Sequence, residues 1–208
     1  MVQKYYKNWE VLLIGGISGS GKTTVAKQLG LRLSLPWLQV DDLRLALQWS
    51  RVTLPQRTKD LYFFLEPHVW QLTPEHLCAS LIAIGEVLSP AIEIVVENHL
   101  DTAAPIIIEG DAILPSLLIR SALQKYVHSM RIRAVFLIEP EEENIFANIQ
   151  ERGRGTAERT EEELRNEARA KWFYGQWLAQ EAQRLQFPIL EARPWDSLCD
   201  RILNTKLP

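Results

Sequence analysis

Short apolar runs recur along the chain, separated by longer stretches in which hydrophobic residues fall at helical spacing. Five runs, at 11–14, 37–40, 106–108, 134–138 and 188–190, are rich in aliphatic residues. Strands apolar at successive positions are buried on both faces, as in a parallel sheet covered by helices. Ligands of such sheets bind beyond the carboxyl ends of the strands. The residues just after each run therefore carry the most information about chemistry.

Between the runs the helical pattern is legible. After Thr73-Pro74, the residues Leu77, Leu81, Ile84 and Leu88 recur at i, i+4, i+7 and i+11, a core-facing stripe. Thr73 suits the N-cap and Pro74 the first helical position. Pro90 predicts a kink before Ile92, Val95, Val96 and His99 continue the helix. Pro115 opens another helix around Leu117, Leu118 and Leu123. Residues 141–151 make a further one, with acidic side chains at its positive start. Residues 1–208 read as one α/β domain, since no repeat, low-complexity tract or linker marks a second.

The first run leads into Gly16-Ile17-Ser18-Gly19-Ser20-Gly21-Lys22-Thr23, which fits G-x-x-x-x-G-K-[ST] without mismatch, and then into a helical segment from Thr24. A strand, this loop and a helix together predict a cradle for nucleoside triphosphate. The glycines let backbone N–H groups turn towards phosphate oxygens, and the helix contributes its positive end. Lys22 is expected at the β/γ-phosphates and the Thr23 hydroxyl on Mg²⁺, with Thr24 beside it.

Two further strand ends carry carboxylates. The run 106–108 ends in Glu109-Gly110-Asp111, and Glu109 is a candidate to hold Mg²⁺ through water or to orient other ligands. The run 37–40 is followed by Asp41-Asp42-Leu43-Arg44. A phosphotransferase needs a carboxylate there to orient the acceptor hydroxyl and receive its proton. Asp41 is the preferred base, with Asp42 as cap of a helix at 43–49 or as helper, although adjacency leaves the choice open. Arg44 or Arg51 could grip an anionic acceptor. Arg57 also flanks that region, and Arg120 follows the Glu109-Gly110-Asp111 turn by about three helical turns. Arginines 152, 154 and 159 flank a glycine-containing break between two helices. Arg152 is a candidate nucleotide contact, and Arg154 and Arg159 are candidate catalytic residues on a mobile lid at about 152–160; ion pairing with nearby glutamates is the alternative.

The rest of the composition narrows the classes. At 47% hydrophobic and 24% charged, the chain has an ordinary globular balance, and a net charge of −3 gives no electrostatic case for nucleic acid or anionic membranes. The start, 1–10, does not read as a signal peptide, and apolar stretches such as 77–88 read as interrupted or too short for a bilayer. Cys78 and Cys199 lack metal or redox spacing and read as free thiols of a cytoplasmic protein. His68, His76, His99 and His128 form no metal pattern. His68 falls in the stretch 54–70 that would shape acceptor choice. Trp172, Tyr174 and Trp177 read as packing residues.

The phosphate loop at 16–24, Val-Asp-Asp-Leu-Arg at 40–44, Ile-Ile-Glu-Gly-Asp at 107–111 and the arginines at 152–159 resemble the P-loop kinases of small molecules. They are most similar to bacterial proteins of the 2-phosphoglycerate kinase-like group. That resemblance implies a three-layer fold with a five-stranded parallel sheet in order 2-3-1-4-5. It also implies an acceptor region at about 41–75, an arginine-bearing lid, and a strand-two carboxylate acting as base. The expected activity is ATP- and Mg²⁺-dependent phosphoryl transfer to a small, anionic, 2-phosphoglycerate-like hydroxy compound, with Arg44, Arg51 and Arg120 on the acceptor. A nucleotide-dependent switch acting on a protein partner, or a toxin- or resistance-type phosphotransferase, is compatible with the same motifs. Oligomeric state does not follow from the sequence.

Overall fold

The computed structural model describes residues 9–50, 59–153 and 155–205. Strands β1 (Val11–Gly16), β2 (Trp37–Gln39), β3 (Ile106–Glu109), β4 (Ile132–Ile138) and β5 (Ile189–Glu191) form one sheet in the order β2-β3-β1-β4-β5. Every neighbouring pair is parallel. Each strand falls on one of the apolar runs, and the order is the one the resemblance implies.

The helices are α1 (Lys22–Leu33), α2 (Val40–Trp49), α3 (Pro74–Asp101), α4 (Ser121–His128), α5 (Glu142–Arg152), α6 (Glu161–Arg184) and α7 (Leu198–Asn204). Side chains alternate across a strand, so one strand serves two half-cores. Leu12, Ile14, Ile107, Val135 and Leu137 face α1 and α7, meeting Val25, Leu29, Leu33, Leu198 and Ile202. Leu13, Ile106, Ile108, Ala134 and Phe136 face the opposite half, built from α3 to α6 with Leu88, Ile92, Phe146, Tyr174 and Leu178.

Three local expectations change. The helix after β2 begins at Val40, one strand residue early, with Gln39 in the cap position and no side-chain cap. Asp42 is therefore not an N-cap; Asp41 and Asp42 both lie in the first turn, at the positive end of the helix. Pro115 opens a short 3₁₀ turn, Pro115–Ile119, and α4 starts only at Ser121. Helix α3 runs through Pro90 without a break, capped as expected by the Thr73 hydroxyl, which accepts from the His76 backbone N–H at 3.3 Å. At 28 residues α3 is long and apolar enough, by length and composition, to cross a membrane. Its stripe of Leu77, Ile84, Leu88, Ile92 and Val96 is buried in the fold.

Helix α6 starts on a reciprocal cap. The Thr160 hydroxyl accepts from Glu163 N–H at 3.2 Å, and the Glu163 carboxylate accepts from Thr160 N–H at 2.9 Å. These contacts satisfy two otherwise open donors. Leu13 lies at the centre of the sheet with no exposed surface. Leu13→Ala is expected to cost about 2–5 kcal/mol in urea unfolding, the range for an unfilled core cavity.

Candidate active site

The loop after β1 folds against the neighbouring strand. A Cβ on Gly16, whose φ is 142°, would sit 2.3 Å from the Leu137 carbonyl oxygen, so only glycine fits. Gly21 takes the left-handed φ of 79° needed to start α1. Inside the loop the Ile17 carbonyl accepts from the Ser20 hydroxyl at 2.9 Å and from Lys22 Nζ at 2.8 Å. The loop is tied from outside by Asn148 of α5, whose Nδ2 donates to the Gly19 carbonyl at 3.3 Å. Asn148 in turn accepts from Arg193 at 3.4 Å, and Arg193 bonds the buried Glu139 at 3.0 Å.

Lys22 is buried, and loss of water pulls its ammonium below the usual lysine range. The carboxylates of Asp111, Glu109 and Asp41 oppose that shift. Glu109 is also buried; desolvation raises its carboxyl above the ordinary range, against Lys22 and the Thr23 hydroxyl, which donates to Oε1 at 2.8 Å. The Asp41 side chain is 52% exposed, yet it stands inside a concave cleft. Partial desolvation there, with the Asp111 carboxylate nearby, raises its pKa despite Arg44 and Lys22.

The loop floors a cleft of about 710 Å³, bordered by Thr23, Glu109, Asp111, Arg152 and Trp195. A second chamber of about 300 Å³ shares Asp41, Asp111 and Asn148 with it and extends towards Phe64, Trp70 and Lys171. The two spaces meet at the strand-end carboxylates. Both are entered from the carboxyl edge of the sheet, as expected for this topology.

The geometry separates the sequence candidates. Ser18, Gly19, Gly21, Lys22, Thr23 and Thr24 border the larger cleft. Asp41 borders both spaces and exposed Asp42 borders neither. Arg44 reaches the second chamber, with Nη2 3.1 Å from Asp41 Oδ1. Arg120 does not come to the cleft. The helical spacing that placed it there is broken by the 3₁₀ turn, and its guanidinium pairs with Glu93 of α3. Arg51, Arg57 and Arg154 lie outside the described residues. Arg152 donates to the Ser18 hydroxyl at 3.2 Å and so already touches the phosphate loop.

Arg159 borders neither space. Its Nη1 bonds Glu167 at 2.5 Å, its Nη2 donates to the Glu163 carbonyl at 2.9 Å, and its guanidinium lies 4.1 Å from the Trp70 ring centre. Glu167 also pairs with Lys171, and these three charges are largely shielded from water. Coulomb attraction from the two cations keeps the Glu167 carboxyl below its ordinary pKa despite the upward pull of burial, the largest single influence.

Sequence reasoning missed several residues. Asp111 stood in the strand-end triplet but received no role. Asn148, Glu167, Lys171 and Trp195 have no local signal, because helices distant in sequence bring them to the site.

The strand–loop–helix unit, the sheet order and the carboxyl-edge cleft define a phosphate-loop α/β fold. No protein-family model and no curated protein matches the chain. Among solved structures, a gluconokinase from Sinorhizobium meliloti 1021 is similar, with 17% identity, coverage of 94% of this chain and 90% of that one, and a TM-score of 0.43. A shikimate kinase from Acinetobacter baumannii in complex with shikimate is 14% identical, covering 98% and 95% respectively, with a TM-score of 0.47. A deoxyadenosine kinase from M. mycoides is 13% identical, covering 93% and 97%, with a TM-score of 0.49.

The burial of Arg159 generates a thermal test without nucleotide. Arg159→Ala is expected to destabilise the ligand-free protein by about 1–3 kcal/mol, since it removes a charged donor from a shielded carboxylate. An unchanged melting curve would leave Arg159 without this structural role.

Proposed function

We propose that the chain transfers the γ-phosphate of ATP to a hydroxyl of a small molecule. The observation that carries this reading is the pair of connected spaces meeting at Asp41 and Asp111. A nucleotide switch needs only the first space. A transferase needs a second, with a base where the two join.

Mg²⁺ fits the residues present. Thr23 and Glu109 offer a hydroxyl and a carboxylate oxygen within 2.8 Å of each other, donors suited to a hard cation. Among the described residues no group of three His, Cys, Asp or Glu could hold a metal alone. Phosphate and water oxygens would therefore complete the shell, the usual arrangement for Mg²⁺ on nucleotides. When bound, the ion neutralises charge on the β- and γ-phosphate oxygens.

The chain's own residues supply the rest. The loop N–H groups and Lys22 seat the phosphates, and Lys22 exchanges its bond to the Ile17 carbonyl for phosphate oxygen. Arg152, already at Ser18, lies beside the same charge. Asp41 orients the acceptor hydroxyl and takes its proton as the acceptor oxygen bonds to the γ-phosphorus. The bond from that phosphorus to the bridging oxygen breaks, leaving ADP. Asp111 keeps Asp41 basic by repelling its negative form.

Lys22→Ala is expected to lose at least ~2 kcal/mol of transition-state stabilisation, about thirtyfold in kcat/KM, while the fold persists. Steady-state kinetics beside a thermal melt checks this; equal Mg-ATP affinity and turnover would remove Lys22 from the role.

The pH dependence has a definite sign. Only ionised Asp41 accepts a proton, so kcat rises with pH through a limb centred above the ordinary aspartate value of 3.8. Asp111→Asn removes one cause of the upward shift and is expected to move the limb to lower pH. Asp41→Asn is expected to cut turnover about 10²-fold or more with ATP binding intact. Profiles of kcat against pH for the three proteins test the assignment. Acceptor-independent hydrolysis as fast as any stimulated rate would favour a nucleotide switch instead.

A further inference from the structure

The brace on the phosphate loop ends on a residue outside the cleft. Within the loop the Gly19–Ser20 peptide is held at both ends. The Ser20 N–H donates to the Ile17 carbonyl at 3.2 Å, and the Gly19 carbonyl accepts from Asn148 Nδ2 at 3.3 Å. Gly19 has a φ of 94°, and a second glycine follows two residues on. A glycine-rich segment has many alternative shapes, so an outside contact that selects one of them lowers the ordering cost of binding.

Which way the Asn148 amide faces depends on its other end. An amide carries an acceptor oxygen beside its donor nitrogen, and Oδ1 accepts from Arg193 Nη2 at 3.4 Å. Arg193 is itself anchored: its Nε donates to Glu139 Oε2 at 3.0 Å. Glu139, directly after β4, is 3% exposed, and its Oε1 accepts from Asn144 Nδ2 at 3.0 Å and from the Glu141 N–H at 3.4 Å. A buried carboxylate is costly without its cation, which keeps the guanidinium in place. The planar fork then serves two acceptors at fixed angles, while its face lies 4.3 Å from the Trp195 ring centre. Arg193 borders neither space, so it touches the loop's ligand only through Asn148 and Trp195. A lysine there would still answer Glu139, but one ammonium on a flexible stem would not hold Asn148 as well.

We propose that Arg193 is a positioning residue for phosphate binding: anchored on Glu139, it turns the Asn148 amide so that its nitrogen holds the Gly19 carbonyl, and the phosphate loop meets its ligand already shaped. This rests on the loop seating the phosphates of the nucleotide. It is independent of which acceptor the second chamber takes.

The test uses two probes, Mg-ADP and Mg-tripolyphosphate, which has the phosphates but no base. Each is titrated into the full chain by calorimetry. Arg193→Lys is expected to weaken both by about threefold to tenfold, the net worth of one hydrogen bond. Asn148→Ala is expected to weaken both by a similar factor, and the double variant to lose no more than Asn148→Ala alone, since the two residues act in series. Unchanged affinity in Arg193→Lys, or losses that add in the double variant, would overturn the proposal. So would a loss confined to Mg-ADP, which would route the effect through Trp195 and the cleft wall. Melts of the ligand-free proteins accompany the titrations. Affinity that falls only in step with melting temperature across Arg193→Lys, Arg193→Ala and Asn148→Ala would mark a purely structural role and overturn it too. Failure of both probes to bind the unaltered chain would sink the phosphate-loop reading itself, and this proposal with it.

Discussion

The cleft is organised around one buried ammonium group. Lys22 loses its water at the end of the central strand, and a lone charge there would be costly. Three carboxylates answer it, each from a different element: Asp41 from the first turn of α2, Glu109 from the last residue of β3, and Asp111 from the turn beyond. None of these positions makes sense without the parallel sheet, which delivers adjacent strands to one edge. Burial first, and then the neighbouring like charges, raise Asp41 and Glu109 above the ordinary carboxylate range.

What was legible in the sequence follows from what is local. The phosphate loop is contiguous, and the strands declare themselves through apolar runs that need no partner to be recognised. The Thr73 cap and the stripe of α3 are equally local. The adjacent Asp41 and Asp42 part company only in three dimensions, because α2 starts at Val40 and only Asp41 borders the two spaces. Arg120 shows how a local argument fails: its position depended on a continuous helix that a 3₁₀ turn replaces, and its partner Glu93 sits on another element. Arg159 was read as a lid residue or as a partner of nearby glutamates, and in this structure Glu167, eight positions on in the sequence, holds it. Glu167, Lys171 and Asn148 were invisible because their meaning lies in long-range packing.

The link between Arg159 and Trp70 joins two regions that the sequence separated, the helix break at about 152–160 and the wall of the second chamber. Breaking the pair between Arg159 and Glu167 would also release a contact on the wall of the second chamber.

The alternation along β1 has a consequence of another kind. Leu12 and Ile14 stand behind α1, the helix that begins at the phosphate loop; Leu13, between them, faces the half-core of α3 and α6 that carries the chamber wall. Neighbouring residues on one strand therefore brace two different half-cores, one behind the phosphate loop and one behind the second chamber. Repacking α3 and α6 would leave the layer under the phosphate loop with its contacts. The sheet works as a partition, and the chemistry on either side of it can drift independently.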